Sequence, residues 1–271
     1  MDLDDATRFS GWLDTSTTIV APDAAALAER AAREVLADAR AAIDARGQFT
    51  WVLSGGSTPR RLYARLAAPP FREQMPWDHT HVFWGDERHV PPAHPESDYG
   101  MAFEALLSKV PIPEAQVHRI EAELADAAEA ARRYEATVRA AFQALGQPLD
   151  PVPSFDLVLL GLGADGHTAS LFPGSAAIQE TRRWVAAPYV EKFRTHRITL
   201  TPTLFNAARH VVFLVSGSDK ADAVHTTQRG RTDPRWHPAQ AIRPSHGRLT
   251  WLVDAGAAAR LATSEPGATS A

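Results

Sequence analysis

Asp165 and His167 stand two residues apart in the stretch GLGADGHTASLFPG, which directly follows the apolar run FDLVLL. Histidine titrates close to neutral pH, so it can act as a general acid or base. A carboxylate beside it can fix the tautomer of the imidazole or bind a substrate hydroxyl. A histidine that only caps the turn TASLF would use the same residue types. Catalysis and turn capping are therefore both compatible with this stretch alone.

The first six letters of the same stretch also have the spacing of a dinucleotide-binding fingerprint. Such a fingerprint must open a crossover helix that returns to a parallel strand, which takes about a dozen residues or more. After Gly166 the chain reads HTASLF and then meets Pro173 and Gly174, which interrupt a helix. This context argues against a nucleotide site and predicts a sharp turn at the end of a strand.

A second glycine-containing loop, LSGGSTPRRLYARL, lies between a predicted strand and a predicted helix. Gly55 and Gly56 let the backbone approach a ligand, and the first free N–H groups of the helix attract an anion. Ser57 and Thr58 can add hydroxyl donors, and Pro59 suits the first helical turn. The lysine and glycine spacing of the Walker motif are absent. A phosphate cradle and a tight turn with a good N-cap both remain compatible with these residues.

Charged residues follow a third predicted strand, in FWGDERHVPPAHPESDYGMA. Arg88 is a permanently charged fork of donors that can bind a carboxylate, a phosphate or a developing oxyanion. Asp86 can act as a base or can orient Arg88. A surface salt-bridge cluster is the alternative interpretation, and the position just beyond a strand is what favours a functional one.

Basic residues in the C-terminal half supply further candidates. The stretch EKFRTHRITLT carries Lys192, Arg194, His196 and Arg197. Strand alternation places Arg197 on the face opposite the other three, so not all four are expected to reach one site. In VSGSDKADAV, Lys220 lies near a helix N-terminus, which is unfavourable for the helix dipole unless an anion sits between them. We therefore expect Lys220 to form a second arm of a phosphate site, with an ordinary solvated lysine as the alternative.

The elements that must position these residues alternate between strand and helix along most of the chain. The predicted strands are TTIV, FTWVL, HVFW, residues 155–160, WVAAPYV, RITLT, VVFLVSG and LTWLV. The predicted helices run from the N-cap Asp23 to Gly47, onwards from Pro59, over 121–145 and over 218–227. Apolar strands separated by helices are typical of a parallel sheet covered on both faces. We therefore predict an α/β fold, a doubly wound, mainly parallel sheet with helices on both faces.

In such sheets, ligands collect beyond the carboxyl ends of the strands. This rule predicts one site formed by the loops after Leu53, Trp84, Leu160, Leu200 and Val215. We expect one domain over residues 1–262, because neither a repeat nor an interdomain linker is evident. The small polar tail at 263–271 is expected to be disordered.

Composition excludes several classes of function. The chain has 271 residues, no cysteine and a net charge of −4. The absence of cysteine excludes disulfides and thiolate catalysis, and the net charge supplies no basic field for nucleic acid. No apolar run approaches the roughly 20 residues of a membrane helix, and the acidic start MDLDDATRF does not resemble a signal peptide. We expect a cytoplasmic protein with no nucleic-acid or membrane partner.

Eleven histidines also raise the question of a metal. The closest pair, His79 and His81, would share one face of a strand, but no H-E-x-x-H motif appears. A solvated strand entrance is the favoured interpretation, and we predict no metal site.

Taken together, LSGGSTPRRLYARL, FWGDERHVPPAHPESDYGMA, LVLLGLGADGHTASLFPGS and HVVFLVSGSDKADAV resemble the 6-phosphogluconolactonase family. That family belongs to a wider sugar-phosphate isomerase group that includes glucosamine-6-phosphate deaminase. The resemblance implies a Rossmann-like α/β fold and hydrolysis of 6-phospho-D-glucono-1,5-lactone to 6-phospho-D-gluconate, the second step of the oxidative pentose phosphate pathway. It also implies a small-molecule substrate and no cofactor. A monomer and a small homo-oligomer are both compatible with the sequence.

The resemblance also implies roles for individual residues. The catalytic set would be His167, Asp165, Asp86 and Arg88, and the residues binding substrate or phosphate would be Gly55, Gly56, Ser57, Thr58, Arg197 and Lys220. The segment EKFRTH departs from the proline-rich approach found in many members, so roles for Lys192 and Arg194 are left open.

Two alternatives accompany this interpretation. A deaminase or isomerase acting on glucosamine 6-phosphate would carry an acid five residues beyond the histidine, where this chain has Phe172. A non-catalytic sugar-phosphate sensor would be expected to carry a DNA-binding segment, and the sequence shows neither a helix-turn-helix nor a basic patch.

Overall fold

The computed structural model describes residues 8–10, 16–150 and 152–261. The tail that is expected to be disordered, 263–271, lies outside these described residues. None of the helices within them is long and apolar enough to cross a membrane.

Eighteen helices and strands make up the described parts of the chain. The strands are β1 (Arg8–Ser10), β2 (Ser16–Ala21), β3 (Phe49–Leu53), β4 (Thr80–Trp84), β5 (Asp86–Arg88), β6 (Leu157–Leu160), β7 (Val185–Ala186), β8 (Tyr189–Val190), β9 (Thr195–Leu200), β10 (His210–Val215) and β11 (Arg248–Asp254). The helices are α1 (Ala24–Arg46), α2 (Ser57–Leu66), α3 (Phe71–Gln74), α4 (Asp98–Ala105), α5 (Ala127–Ala144), α6 (Pro202–Asn206) and α7 (Ala221–Arg229).

The central sheet has seven strands in the order β1-β2-β11-β10-β6-β3-β4. All neighbours are parallel except β1, which runs antiparallel to β2. From the adjacent pair β3 and β6, the chain adds β4 on one side and β10 and β11 on the other. The predicted mainly parallel α/β fold is confirmed. The crevice at the carboxyl ends of β3 and β6 is the topological switch point, where such sheets bind ligands.

A second, small sheet was not predicted from the sequence. It has the order β5-β9-β7, with β8 also paired to β9, and all of its pairs are antiparallel. The predicted single strand WVAAPYV was wrong, because it divides into β7 and β8 on either side of Ala187 and Pro188, and proline cannot donate to a strand ladder. The stretch RITLT, predicted as a strand of the mainly parallel sheet, instead belongs to β9 in this second sheet and runs antiparallel to β5.

Helix ends agree with the sequence to within two residues except at the starts of α5 and α7. Helix α7 begins at Ala221 and not at 218, because residues 218–220 form a 3-10 turn. Asp23 caps α1 by accepting from the amides of Ala25 and Ala26, and Gly47 ends that helix in a left-handed conformation. Helix α5 begins at Ala127 and not at 121, because the Asp126 carboxylate caps it there. Helix α2 begins two residues before Pro59, at Ser57.

Two buried tyrosines hold the strand ends from which the site loops leave. The Tyr63 hydroxyl accepts from the amide of Ser54 at 2.9 Å and donates to the carbonyl of the same residue at 2.8 Å. Tyr134 makes the same pair of bonds to Trp84, at 2.7 and 2.8 Å. Burial raises the pKa of both phenols far above the usual value, so both stay neutral donors. The backbone amide and carbonyl of Ser54, just beyond β3, and of Trp84, at the end of β4, thereby have hydrogen-bond partners although they are buried.

Candidate functional site

A cavity of about 210 Å³ lies at the switch point. It is lined by Ser54, Gly55, Gly56, Asp86, Arg88, Asp98, Gly161, Leu162, Gly163, His167, Thr168, Ala169 and Lys220. The loops after β3, β4, β6 and β10 thus meet at one place, as the position of their strand ends predicted, whereas the loop directly after Leu200, also predicted there, contributes no residue to the lining. Of the predicted site residues, Gly55, Gly56, Asp86, Arg88, His167 and Lys220 line this cavity, whereas Ser57, Thr58, Asp165 and Arg197 do not.

The loop after β6 is a tight turn, as expected from its glycines. The amide of Gly163 donates to the carbonyl of His167 at 2.8 Å, and the amide of Gly166 donates to the carbonyl of Gly163 at 2.9 Å. A Cβ at Gly163 would lie 1.9 Å from His167 Nδ1, so only glycine allows the imidazole to fold back over this turn. Gly166 has a φ of +80°, which also favours glycine. No crossover helix follows, in agreement with the argument against a nucleotide site.

Asp165 and His167 form a direct pair. Nδ1 of His167 is bonded to Oδ1 of Asp165, and Lys192 Nζ lies 3.1 Å from the other oxygen, Oδ2. The hydrogen bond from His167, with a smaller contribution from Lys192, holds the pKa of Asp165 well below its usual range. An ionised carboxylate only accepts, so Nδ1 carries the proton and Nε2 is left as the basic nitrogen of a neutral imidazole.

The face of the imidazole is covered by Phe172. The two ring centroids are 4.3 Å apart and the planes are inclined by 25°. Phe193 in turn meets Phe172 edge-on, with centroids 5.7 Å apart. The hydrogen bond to Asp165 holds one edge of the imidazole. The stacked Phe172 ring additionally restricts its rotation.

Strand β5 presents Asp86 and Arg88 on one face, because they are two residues apart. Asp86 Oδ2 accepts from the Ser170 hydroxyl at 2.6 Å. Arg88 Nε lies 3.1 Å from Asp98 Oδ2, and its Nη1 donates to the carbonyl of Glu96 at 2.6 Å. Burial by itself would lower the pKa of the Arg88 guanidinium. The negative charges of Asp98 and then Asp86 outweigh this effect and raise the pKa. A held, permanently charged donor group therefore lines the cavity.

Two acidic residues of this region were missed in the sequence analysis. Glu87, on the other face of β5, accepts from the amides of Asp98 and Tyr99, each at 2.7 Å, and so caps α4. Asp98 is buried beside Arg88, and burial, followed by the charge of Asp86, raises its pKa well above the ordinary value. A Cβ at Gly55 would lie 1.7 Å from Asp98 Oδ1. The signal available in the sequence was the N-cap Ser97, which predicts that a helix brings the following residue inward.

The start of α2 resembles an anion cradle more than a capped turn. Gly56 is the N-cap with a φ of +101°, and no side chain caps the helix among the described residues. Ser57 is exposed and Thr58 is half-buried, in the first turn and outside the cavity lining. The predicted structural alternative, a good side-chain N-cap, is therefore not formed, and the first amides of α2 stay available to a ligand.

Lys220 reaches the cavity from the loop after β10. It ends a 3-10 turn at 218–220 and lies 3.2 Å from Asp219 Oδ2. Asp254 holds that loop by accepting from the amides of Gly217 at 3.0 Å and Ala257 at 2.8 Å. Lys220 therefore lines the same cavity as Gly55 and Gly56, and its role as a second arm of a phosphate site stays a prediction.

Arg197 is buried next to Arg88 without lining the cavity. The two are register partners on β9 and β5. Arg197 Nη1 has no hydrogen-bond partner in the described parts of the chain, and the guanidinium carbon lies 5.0 Å from the Phe193 ring centre. Burial, and then the charge of Arg88, lowers the pKa of Arg197. The alternation argument was wrong for Lys192, because residues 191–193 form a 3-10 turn and not a strand.

The histidine pair considered for a metal does not form. His79 lies in a 3-10 turn, so it shares no strand face with His81. His81 Nδ1 instead lies 3.1 Å from His118 Nε2. Within the described ranges, no group of three or more histidine, aspartate or glutamate side chains is arranged to hold a metal ion.

Comparison with known proteins gives consistent relatives. The family described as glucosamine-6-phosphate isomerases/6-phosphogluconolactonase matches residues 22–251. A 6-phosphogluconolactonase of Synechocystis sp. is 44% identical over 228 residues, which is 84% of this chain and 91% of the relative. One from Nostoc sp. is 40% identical over 245 residues, covering 90% of this chain and 98% of the relative.

Solved structures agree with this result. The 6-phosphogluconolactonase of Trypanosoma brucei superposes with a TM-score of 0.77 at 30% identity, covering 90% of this chain and 98% of that one. A monomeric glucosamine-6-phosphate deaminase superposes with a TM-score of 0.73 at 20% identity, covering 89% and 98%. The second likeness shows a shared fold alone.

Proposed function

The chain belongs to the glucosamine-6-phosphate isomerase and 6-phosphogluconolactonase family, and we propose that it hydrolyses 6-phospho-D-glucono-1,5-lactone to 6-phospho-D-gluconate. The reaction is the second step of the oxidative pentose phosphate pathway. The observation that carries the proposal is a single cavity that brings His167, oriented by Asp165, together with Arg88. A base and a fixed cation are what attack of water on a lactone carbonyl requires.

His167 is the general base in this proposal. Its Nε2 takes a proton from the water that attacks C1, which forms a tetrahedral intermediate and an imidazolium. Asp165 keeps Nδ1 protonated and stabilises the imidazolium while it exists. The imidazolium then returns its proton to the ring oxygen as the C1–O bond breaks, and the open-chain acid is released.

Arg88 stabilises the oxyanion that forms on C1. Its Nε and Nη1 are already engaged by Asp98 and Glu96, so the guanidinium is held before the substrate arrives and needs little reorganisation. Asp86 bonds to Ser170 and adds negative charge beside Arg88, which supports an orienting role. Arg197, buried beside Arg88 and outside the cavity lining, adds positive charge next to that guanidinium.

In this proposal the 6-phosphate binds between the start of α2 and Lys220. The amides and hydroxyls of residues 55–58 at the start of α2 and the ammonium of Lys220 would bind its oxygens. Binding energy gained there, remote from C1, orients the carbonyl between His167 and Arg88.

An assay of the purified chain tests the function. We expect freshly generated 6-phosphogluconolactone to release acid well above its spontaneous rate, with no turnover of glucosamine 6-phosphate. Phe172, stacked on His167, has no proton to relay for the second reaction. Turnover of the amino sugar, or lactone hydrolysis no faster than the spontaneous rate, would contradict the proposal.

A variant at Arg88 tests the assignment of the oxyanion donor. We expect Arg88→Met to lower kcat by about 10²- to 10³-fold, the usual cost of losing such a donor. Arg133→Met is the matched control, because Arg133 is exposed on α5 and its hydrogen bonds in the described structure are to the acidic side chains of Glu129 and Glu121. Equal activity of the two variants would remove Arg88 from the mechanism.

The cellular compartment and oligomeric state stay predictions from the sequence. We propose a cytoplasmic location, which is consistent with the pathway to which the reaction belongs. Relatives from rice that are 38% identical are named chloroplastic, so the compartment differs among relatives.

A further inference from the structure

The turn between β8 and β9 reaches both members of the Asp165–His167 pair. Residues 191–193 form a 3-10 turn, which Arg194 closes in a left-handed conformation with a φ of +52°. Pairing of Tyr189 with His196 and of Val190 with Thr195 holds the base of this turn. Its tip is exposed, yet two of its side chains point back onto the site.

Lys192 makes the first of these contacts. Asp165 divides its two oxygens between His167 and Lys192, with Nζ 3.1 Å from Oδ2. The lysine and the imidazole therefore compete for the negative charge of one carboxylate. Because the Lys192 side chain is 61% exposed, the ion pair is partly screened by water.

Phe193 makes the second contact. It meets Phe172 edge-on, and Phe172 stacks on the imidazole of His167. Phe193 is 45% exposed. Its ring nevertheless contacts both the Phe172 ring and the Arg197 guanidinium. This contact fixes where the turn lies, and so keeps the lysine within reach of Asp165.

We propose that Lys192 is a positioning residue that acts through Asp165 to set how strongly His167 holds a proton. With Lys192 present, Asp165 carries less uncompensated charge, the imidazolium is less stable, and His167 is a neutral base over a wider range of pH. The inference rests on the proposed function for its kinetic consequence only.

The other charged groups around the pair do not change with Lys192. The remaining titratable groups that face His167 and its loop are Asp86 and Arg88 on β5, Asp98 on α4, Lys220 on the 3-10 turn and His237, which packs against Gly166. A difference between the wild type and a Lys192 variant therefore isolates the lysine.

The kinetic test compares Lys192→Met, Lys192→Arg and the control Arg194→Met, which removes an exposed cation from the same turn. We expect Lys192→Met to move the acid limb of kcat/KM upward by about half a pH unit, the effect of one exposed ion pair, with KM unchanged on the plateau. Lys192→Arg should restore the limb, and Arg194→Met should leave it in place. The shift should shrink in high salt. A raised KM with an unmoved limb would assign Lys192 to substrate contact and overturn the inference.

An activity-free measurement separates this inference from the function. The ring resonances of His167 are titrated by NMR in the wild type and the three variants, without substrate. The midpoint should rise in Lys192→Met alone. An unchanged midpoint overturns the inference even if the lactone is hydrolysed, whereas a raised midpoint supports it even if the wild type proves inactive on the lactone.

Discussion

Within the described residues, two histidines bond to an aspartate through Nδ1, and they lie at opposite ends of the strands of the central sheet. His167 is bonded to Asp165 beyond the carboxyl ends of the strands. His210, at the first residue of β10, is bonded to Asp38 of α1 at 2.6 Å. The atoms of the two pairs are the same, so the pairing itself does not distinguish a reactive histidine from a structural one.

The two histidines differ in the surroundings of their second ring nitrogen, Nε2. Nε2 of His210 is bonded to the Thr250 hydroxyl at 2.9 Å, and the side chain is only 2% exposed. The side chain of His167 is 27% exposed, and its Nε2 makes no hydrogen bond within the described structure. A base needs an open lone pair within reach of a proton, so only the His167 pair is fit for proton transfer.

The carboxylates show the same contrast. Asp156, at the amino edge, accepts from the amide and hydroxyl of Thr50, each at 2.8 Å, and pairs with Arg46 and Arg209. All of these contacts are within the protein. Asp98 and Asp86, at the carboxyl edge, hold a guanidinium that faces the cavity. The polar groups around Asp156 bond to one another, whereas Asp86, Asp98 and Arg88 at the carboxyl ends of the strands line a cavity.

The strongest test of this difference between the two histidines is removal of the His167 imidazole. We expect His167→Ala to lower kcat for the lactone by about 10²-fold or more, because general acid–base catalysis contributes about 10²- to 10⁴-fold. Urea unfolding should change little, since the side chain is partly exposed and lies at the rim of a cavity. Turnover close to that of the wild type would refute the assignment of His167 as the base.

A second variant should show that the tautomer matters, and not only the ring. Asp165→Asn leaves an amide that can donate to Nδ1, which moves the ring proton to Nε2 and removes the basic lone pair. We expect kcat to fall by about 10²-fold, with KM for the lactone nearly constant. An Asp165→Asn enzyme that retains wild-type kcat would show that the carboxylate does not orient His167.

Removal of the buried His210 imidazole, which bonds to Asp38, should instead lower stability and leave activity nearly unchanged. We expect His210→Ala to lower the free energy of unfolding by about 2 kcal/mol, because buried Asp38 and Thr250 each lose a partner. Urea unfolding measures this loss, and kcat for the lactone should stay within about twofold of the wild type at a temperature where the variant is folded. A large loss of kcat in the folded variant would mean that the His210–Asp38 pair influences the site around His167.

The smallest expected effect is on stability at low pH. The pKa of Asp165 is lowered in the folded state by His167 and Lys192, so its stabilising contribution is present above the unfolded pKa, about 3.9. That contribution is lost as the pH falls through the folded value. The difference in free energy of unfolding between the wild type and Asp165→Asn should therefore shrink below about pH 4, as measured by urea unfolding across that range. A difference independent of pH would exclude this linkage.

Much of the fold was accessible from the sequence because it is encoded locally. Continuous apolar runs marked the buried parallel strands, and Asp23 and Gly47 marked both ends of α1. The strand β5 was missed because three charged residues after a glycine have no apolar period. Its partner β9 lies more than a hundred residues later, and pairing across that distance leaves no local pattern.

The site was accessible in part for the same reason. Glycine-rich loops at strand ends indicated where His167, Arg88 and Lys220 would meet. Asp98 escaped notice and the role of Lys192 stayed open, because their importance comes from contacts with Arg88 and Asp165 on other segments. Strand alternation even argued against a shared face for Lys192 and Arg197, on the wrong assumption that residue 192 lies in a strand.

The sequence by itself determined the residue types, the sharp turn that brings Asp165 against His167, and the strand ends where such turns occur, because all of these depend on neighbours along the chain. It did not show how far His167 or His210 is open to solvent, and in the structure each of these histidines bonds to an aspartate through Nδ1. Only the tertiary structure decided that one imidazole borders a cavity and that the other is enclosed between α1 and β11. Solvent access is set by the order of the strands and by what packs over them, and that order arises from contacts between distant segments.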